Sequence, residues 1–333
     1  MGPDLVENLF IVMAVFISSG FVVVISGIKL ARHGDALAES TGWGRLWVGT
    51  IFLAAATSLP ELFTDSVAVY IGAEDIGIGD ILGSNMLNIF ILAGAAFLLV
   101  ITGREFFQRI GREANLLSLF SIVMTGLVIL LAFAEPDVSI GIFGLGAIVI
   151  LGAYLVGMKL IHIATNSDMD PAFRHDPILV KRAIRGFLIA TAGIAIAAPF
   201  LAISAEAISD LAGISSSFVG ILFVSVITSL PEASATAEAV RSTAYGLVVG
   251  NLYGSCIFNI VILAVMDLMY TQGPISSAFT SAHILTALGG FALMFLGLMA
   301  MQKPKMGKLS RLVPLGAILV SYPILLYVAF TLG

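Results

Sequence analysis

Two glutamates lie deep inside apolar stretches of the chain and have the same neighbours. The segment Thr57–Glu61 reads TSLPE, and the same five residues recur at Thr228–Glu232. A carboxylate in a hydrocarbon-like environment is costly unless it is paired, protonated or bound to a metal ion. Two facing carboxylates repel each other, whereas one divalent cation between them neutralises both. Glu61 and Glu232 are therefore candidate cation ligands, and the alternative is a pair of buried structural acids.

The other residues of this motif can supply further oxygen atoms. A hard cation such as Ca²⁺ takes about six to eight oxygen ligands, and backbone carbonyls are among them. Pro60 and Pro231 each remove a backbone donor and free a carbonyl near the start of the motif. Free carbonyls at membrane depth are tolerated only where they face a cavity or an ion. The candidate oxygen donors of the two motifs are Thr57, Ser58, Thr228 and Ser229.

The repeat continues beyond the motif at a constant offset. Residues 57–92 align with residues 228–263 without a gap, and 15 of the 36 positions are identical. The alignment repeats a serine and an asparagine four residues apart, which share one face of a helix. These residues are Ser84, Asn88, Ser255 and Asn259. Each has a structural alternative, since prolines can simply kink helices, and serines and asparagines can hold helices together.

The elements that must position these residues are membrane-spanning helices. The chain is 59% hydrophobic and 11% charged, with a mean hydropathy of +1.07. A soluble domain is about 25% charged, so most of this surface must face lipid. Ten apolar segments are long enough to span a bilayer, and the sequence predicts an all-α integral membrane protein. They cover about 8–30, 44–71, 76–102, 114–134, 138–162, 183–208, 213–240, 244–268, 278–301 and 311–331.

The basic residues predict the orientation of these segments. All 16 Lys and Arg residues fall in or beside alternate loops, which places them on one side of the membrane. The positive-inside rule makes that side cytoplasmic and puts both termini outside. The first apolar segment is flanked by Asp4 and Glu7, which favours a span over a cleaved signal peptide. Cys256, the single cysteine, excludes an internal disulfide and a thiolate metal cluster.

The chain divides into two halves of five spans each. The predicted first repeat covers 1–162, with its motif region at 49–92, and the second covers 183–333, with its motif region at 220–263. Because five is odd, the second copy enters the membrane with opposite polarity, as in inverted-repeat transporters. A polar segment, 163–182, joins the halves on the cytoplasmic side. Its Asp168, Asp170 and Asp176 are interpreted as a solvated linker, since a calcium loop needs a glycine and a terminal glutamate.

These repeats resemble the calcium/cation antiporter superfamily, particularly its Na⁺/Ca²⁺ exchanger branch. The resemblance rests on TSLPE followed by the Gly-Ser and Asn segments Gly79–Asn88 and Gly250–Asn259, with 27 positions from glutamate to asparagine in both halves. It implies a Ca²⁺ site bridged by Glu61 and Glu232 between spans 2, 3, 7 and 8. It also implies that spans 1 and 6 slide as a gate. By position, the carbonyls of Thr57 and Thr228 would bind Ca²⁺. The residues that would line Na⁺ sites are Ser58, Ser84, Ser229 and Ser255. Asn88 and Asn259 would complete the centre.

Two positions depart from that family pattern. Several Na⁺/Ca²⁺ members have an aspartate where this chain has Asn259. Asp65 lies four residues after Glu61, on the same helical face, where the family usually has a small residue. Asp65 either supplements the two glutamates or collects cations at the outer mouth, or it is a residue at the water interface of span 2.

The sequence therefore predicts a plasma (inner) membrane, multi-pass antiporter that exchanges Ca²⁺ for Na⁺ by alternating access. Its partners are these ions and the lipid bilayer; no cofactor and no nucleic acid are expected, and a monomer is the expected functional unit. Proton-coupled exchange of Ca²⁺ or another divalent cation is the alternative, because buried carboxyl groups can titrate near neutral pH. An intramembrane enzyme is disfavoured because no base accompanies Ser58 or Ser229. A channel is not excluded by the repeat alone.

Overall fold

The computed structural model describes residues 3–41, 53–104, 106–110, 112–134, 139–140, 143–165, 177–301 and 307–332. The described part is almost entirely helical. The helices are α1 (Pro3–Thr41), α2 (Ala54–Thr57), α3 (Leu59–Tyr70), α4 (Glu74–Ile101), α5 (Phe106–Arg109), α6 (Arg112–Ala134), α7 (Leu145–Thr165), α8 (Pro177–Ala212), α9 (Ser216–Phe218), α10 (Ser225–Thr228), α11 (Leu230–Arg241), α12 (Tyr245–Asp267), α13 (Ser281–Met301) and α14 (Lys308–Leu332). A π-helical segment, Val219–Val224, joins α9 to α10, and a 3₁₀ turn covers Ile275–Ala278.

Membrane-crossing helices account for most of the described residues. Eight of them are individually long and apolar enough to cross a bilayer, and the bent pair 216–228 and 230–241 would make nine. The predicted second span begins within residues 42–52, which lie outside the described residues, as does most of the predicted linker 163–182. The predicted count of ten spans therefore stays a prediction.

The predicted fifth span begins later than expected. Residues Ser139–Ile140 (β1) and Phe143–Gly144 (β2) pair as a short antiparallel hairpin, and α7 begins only at Leu145. The backbone N–H of Gly144 donates to Oδ2 of Asp267 at 2.7 Å, and that of Ile275 donates to Oδ1 of the same residue at 2.8 Å. The hairpin is thus tied to the end of α12, which explains why residues before 145 do not continue the helix.

Both helices that carry the TSLPE motif are broken at its serine. In the first motif α2 ends at Thr57 and α3 begins at Leu59; in the second, α10 ends at Thr228 and α11 begins at Leu230. The proline falls in the first turn of the new helix, where its missing N–H costs no helical hydrogen bond. The second break bends the chain by 42°. Each glutamate therefore lies in the first turn of a helix that begins inside the membrane.

The two halves also share the turn that follows the motif helix. After α3, Gly72 has a φ of +83°, its N–H donates to the Val69 carbonyl, and the Ala73 N–H donates to the Ala68 carbonyl. After α11, Thr243 takes the same left-handed conformation with φ of 56°. The equivalent hydrogen bonds follow, from Thr243 to Val240 and from Ala244 to Ala239. These are matching C-terminal caps of the Schellman type, 171 positions apart.

The motif helices pack around α4 and α12 at the centre of the bundle. α12 contacts α4, and α4 contacts the π-helical segment, α3, α13 and α14. α1 and α8 pack against each other and cross the motif helices α3 and α11. The buried apolar residues of α1 and α8 belong to two clusters that are separate from the main hydrophobic core. The α1–α8 pair therefore lies beside the bundle rather than within its core.

Glycines let the central helices meet at backbone distance. A Cβ on Gly83 would lie 2.3 Å from the Ile221 carbonyl oxygen, and one on Gly79 would lie 2.5 Å from the Ser217 carbonyl oxygen. In return, a Cβ on Gly220 would lie 2.2 Å from the Ile76 carbonyl oxygen. Only glycine allows backbones to approach so closely. This contact holds α4 against the broken helix of the other half and brings their polar residues together.

Candidate metal centre

All of the residues predicted to bind ions are buried where the two broken helices meet α4 and α12. Each of these side chains has a relative exposure of at most 1%. They are Thr57, Ser58, Glu61, Asp65, Ser84, Asn88, Thr228, Ser229, Glu232, Ser255 and Asn259. So dense a group of buried polar side chains is costly unless the groups satisfy one another or a bound ion. Their hydrogen bonds show which of them do.

Glu232 is held by hydroxyl groups from both halves. Its Oε1 accepts from Ser58 Oγ at 3.3 Å and from Ser255 Oγ at 3.3 Å. Its Oε2 has no partner among the described residues. Thr57 Oγ1 lies 3.3 Å from Ser255 Oγ and extends this network to the break of the first motif helix. Glu232 is therefore oriented by the protein and keeps one oxygen available.

Glu61 has weaker support, in which Thr228 is the side-chain hydroxyl that acts on its carboxyl group. Neither of its carboxylate oxygens has a hydrogen-bond partner among the described residues, although the side chain is fully buried. Glu232 and Asp80 both act electrostatically on the Glu61 carboxyl. An unpaired, buried carboxylate beside other acids is unstable by itself. Glu61 thus has the surroundings of a group that needs a positive charge from outside the protein.

Buried amide groups lie on α4 and α12, the two helices against which the motif helices pack. Asn259 Nδ2 donates to Asn85 Oδ1 at 3.1 Å, which leaves Asn259 Oδ1 without a partner. Neither side-chain atom of Asn88 has a partner among the described residues. Amide oxygens are suitable ligands for hard cations. Both predicted asparagines therefore keep a buried amide oxygen without a partner in the described part of the chain, and their role as ligands stays a prediction.

Three buried residues of this site were missed by the sequence reasoning: Asp80, Asn85 and Asn251. Asp80 Oδ1 accepts from Ser84 Oγ at 3.0 Å and from Thr228 Oγ1 at 3.0 Å. A signal was available, because Asp80 and Asn251 each lie four residues before the repeated serine, on its helical face. They also occupy equivalent positions of the repeat, but they are not identical residues. An alignment of the two halves that counts only identical residues does not reveal them.

Asp65 is not a water-interface residue. It is fully buried, and its carboxyl group lies within hydrogen-bonding reach of Asp80. This excludes an exposed position at the end of span 2. It is also too deeply buried to collect cations at an open outer mouth. Its burial is compatible with a supplementary acid of the buried site, and that role stays a prediction.

The donor set fits a hard cation held by mixed oxygen ligands. Among the described residues, no three His, Cys, Asp or Glu side chains converge closely enough to hold a metal ion by themselves. Two carboxylates, hydroxyls and amide oxygens together can do so. This fit is supported by buried oxygens that have no hydrogen-bond partner among the described residues. They belong to Glu61, Glu232, Asn88 and Asn259. Sulfur ligands take no part, because the Cys256 thiol donates to the Asn85 carbonyl at 3.7 Å.

A cavity lies beside this centre, between α1 and α11. Its volume is about 330 Å³, and its walls include Ala31, Arg32, Ser234 and Arg241. Arg32 and Arg241 flank loops that the sequence assigns to the cytoplasm. The glutamates themselves have no exposed surface. The cavity therefore lies at the end of the bundle that carries these arginines, and it does not expose the glutamates.

Comparison with known sequences gives a consistent result over nearly the whole chain. A family model described as sodium/calcium exchanger protein matches twice, at residues 11–160 and 182–331. The chain is 28% identical over 272 residues to the inner membrane protein YrbG of Escherichia coli, covering 79% of this chain and 81% of that protein. It is 26% identical over 326 residues to the sodium/calcium exchanger MaX1 of Methanosarcina acetivorans, covering 83% and 89%.

Solved structures share the fold. The H⁺/Ca²⁺ exchanger CAX superposes with a TM-score of 0.73 at 13% identity, covering 96% of this chain and 85% of that one. The sodium-calcium exchanger NCX_Mj superposes with a TM-score of 0.62 at 20% identity, covering 95% and 99%. At such low identities the likeness concerns the fold alone.

Proposed function

Because the chain belongs to the sodium/calcium exchanger protein family, we propose that it is a secondary antiporter that exchanges Ca²⁺ for Na⁺ by alternating access. The family consists of membrane transporters rather than enzymes, and the ions it moves are substrates rather than cofactors. The observation that carries the proposal is the burial of Glu61 and Glu232, one from each half, beside each other with oxygens that lack partners.

A divalent cation between these two carboxylates is the proposed central substrate. Each glutamate lies at the start of a broken helix, so carbonyls next to Thr57 and Thr228 are available where the helical ladder is interrupted. The amide oxygens of Asn88 and Asn259 complete the oxygen shell. Hydroxyls of the four motif serines, Ser58, Ser84, Ser229 and Ser255, line the flanks. Na⁺ at the flanks competes with Ca²⁺ at the centre because both need the same two negative charges.

The proposed architecture is ten spans in two inverted repeats, covering 1–162 and 183–333. The double match of the family model to the two halves supports it, as do the matching Schellman turns after α3 and α11. Eight described helices are long and apolar enough to be its spans, and the bent pair would be a ninth. Residues 54–70 would complete the tenth together with the segment that precedes them. An odd number of spans per half inverts the second copy, so the halves meet at the centre with opposite polarity.

Movement of α1 and α8 across the bundle is the proposed route to alternating access. Their buried residues form clusters separate from the main core, which lets them shift without unpacking it. Gly27 of α1 lies over both breaks: a Cβ at this position would come within 2.3 Å of the Pro231 ring and 3.6 Å of the Pro60 ring. A sliding α1 would therefore open and close the path to both glutamates.

The proposal names Na⁺ rather than H⁺ as the coupling ion. The relative MaX1, named a sodium/calcium exchanger, supports Na⁺. The fold alone does not choose, since CAX, named an H⁺/Ca²⁺ exchanger, and NCX_Mj share it. We also propose that the protein lies in the plasma (inner) membrane, with both termini outside, and that it functions as a monomer. The relative YrbG, named an inner membrane protein, supports this location.

Counterflow in sealed vesicles tests this function. Purified protein in proteoliposomes loaded with Na⁺ and diluted into Na⁺-free buffer should take up radioactive Ca²⁺ far faster than vesicles without a gradient. If an outward H⁺ gradient drives uptake and an Na⁺ gradient does not, coupling is to protons. Equal uptake without any opposing gradient would overturn exchange and indicate a channel.

A further inference from the structure

The polar pairs that flank the centre differ between the two halves. At the offset of 171 residues, Asp65 corresponds to Thr236 and Asp80 corresponds to Asn251. In the second half this pair is neutral and satisfied, because Asn251 Nδ2 donates to Thr236 Oγ1 at 3.2 Å and to the Glu232 carbonyl at 3.1 Å. In the first half both positions are acids. The same fold therefore holds an amide–hydroxyl pair on one flank and two carboxyl groups on the other.

The two acids face each other without a counter-charge. Their carboxyl groups lie within hydrogen-bonding reach of one another, and both residues are fully buried. Neither oxygen of Asp65 and only one oxygen of Asp80 has a donor among the described residues. No positively charged side chain of the described part acts on either carboxyl. Two ionised carboxylates cannot donate to each other, so the contact requires either a shared proton or a bound cation between them.

Hydroxyl groups from both halves complete this pocket. Ser84 Oγ and Thr228 Oγ1 each lie 3.0 Å from Asp80 Oδ1. In the mirror arrangement Thr57 Oγ1 lies 3.4 Å from Asn251 Oδ1, which is a neutral contact. These side chains come from α3, α4 and the second broken helix, and they gather carboxylate and hydroxyl oxygens around the Asp80 carboxyl group. Two of those oxygens belong to carboxylates, which is the set that a hard divalent cation prefers.

We propose that Asp65, Asp80, Ser84 and Thr228 form a second cation site, which holds a Ca²⁺ ion of its own beside the Glu61–Glu232 centre. The proposal rests on the proposed function, because it assumes that divalent cations reach the centre. One Ca²⁺ neutralises both aspartates as another neutralises both glutamates. The other flank, with Thr236 and Asn251, carries no charge and does not hold a divalent ion. The two flanks of this exchanger are therefore unequal.

The number of Ca²⁺ ions bound per chain tests the proposal. Equilibrium binding of radioactive Ca²⁺ to the purified full chain, in detergent and without Na⁺, should give two ions per chain. The double variant D65T/D80N copies the Thr–Asn pair that the second half already accommodates, and it should bind one. E61Q/E232Q should also bind one. Thermal unfolding without Ca²⁺ checks that the variants are folded, and single D80N is the second variant should D65T/D80N not fold.

Other results separate this inference from the proposed function. One ion per chain in both the wild type and D65T/D80N would overturn the second site and leave the exchanger intact; a shared proton between the aspartates would give this result. A second bound ion that proves to be Na⁺, measured with radioactive Na⁺, would also overturn the divalent assignment. No Ca²⁺ binding by the wild type would instead overturn the proposed function.

Discussion

The hydroxyl of Ser58 lies 3.3 Å from Oε1 of Glu232, which belongs to the other half of the chain. The equivalent hydroxyl, Ser229 Oγ, donates instead to Ser84 Oγ at 3.0 Å. Ser84 Oγ in turn donates to Asp80 Oδ1 rather than to Glu61. The two halves thus share a motif but differ in their hydrogen bonds. Glu232 accepts hydrogen bonds from hydroxyls of both halves, whereas neither oxygen of Glu61 has a partner among the described residues.

Removing the Ser58 hydroxyl should weaken Ca²⁺ binding. Without it Glu232 Oε1 loses one of the two hydroxyls that donate to it, so the carboxylate is less well ordered when the ion binds. One hydrogen bond contributes about 0.5–1.5 kcal/mol. We therefore expect Ser58→Ala to raise the Ca²⁺ concentration for half-maximal exchange about two- to tenfold, measured by uptake into proteoliposomes.

The shared acceptor provides the control for this effect. Ser255→Ala should also raise the Ca²⁺ concentration for half-maximal exchange. The double variant should lose less Ca²⁺-binding free energy than the sum of the two single losses, because both hydroxyls donate to the same oxygen, Glu232 Oε1. Ser121→Ala removes a buried hydroxyl that donates only locally, to the Ser118 carbonyl, and should leave affinity unchanged. Strict additivity of Ser58→Ala and Ser255→Ala would contradict the network.

A methyl group on Gly27 should slow exchange. The new Cβ would lie 2.3 Å from Cγ of Pro231, and a proline ring cannot rotate away. If α1 slides across the breaks, Gly27→Ala should lower the exchange rate about tenfold or more, which corresponds to about 1.4 kcal/mol on the barrier. The rate is measured at saturating Ca²⁺.

The matched substitution on the same helix is Gly20→Ala. Its Cβ would meet the flexible end of Ile227 at 3.0 Å, which can adjust. We expect exchange close to the wild-type rate for Gly20→Ala. Wild-type exchange by Gly27→Ala as well would argue against movement of α1 over the prolines.

The close contact between α4 and the π-helical segment should be essential for stability. Gly83→Ala places a Cβ 2.3 Å from the Ile221 carbonyl oxygen and 2.8 Å from its Cα, both backbone atoms. Overpacking of this kind costs about 1–3 kcal/mol. The midpoint of thermal unfolding in detergent should fall. Gly316→Ala, where no atom lies within 4 Å, should leave it unchanged or raise it slightly.

Asp267 should matter for stability and not for ions. Its two oxygens accept from the N–H groups of Gly144 and Ile275, so it ties the hairpin to the end of α12. Asp267→Asn replaces one acceptor by a donor, which costs about 1–3 kcal/mol of stability. Thermal unfolding should shift downwards while Ca²⁺ affinity stays the same. A loss of affinity in a folded variant would show that this acid also serves the ions.

The sequence predicts the buried glutamate pair well, because the reasons are local. A proline and a glutamate at the same place in two apolar segments predict a helix break and an acid at membrane depth. The predicted serines and asparagines follow from their four-residue spacing on one helix face. All of them are buried at the centre as the pattern requires.

The flanking acids could not be placed in this way. Whether Asp65 faces water or protein depends on how α3 packs against α4, where a Cβ on Gly77 would lie 3.3 Å from the Asp65 carbonyl oxygen. Asp80 was missed because its equivalent in the repeat is Asn251 rather than another aspartate. The late start of α7 depends on a contact between Gly144 and Asp267, 123 residues apart in the chain. Such tertiary contacts leave no periodic trace in the sequence.

The most direct measurement of the central claim is Na⁺-driven uptake of radioactive Ca²⁺ by proteoliposomes containing Glu61→Gln, Glu232→Gln or both. If one cation needs both carboxylates, each single variant loses uptake by about a hundredfold or more, and the double variant is no worse than either. Glu238→Gln, which alters an exposed acid paired with Arg241, serves as the matched control and exchanges normally. Sustained uptake by either folded single variant would contradict a shared central site.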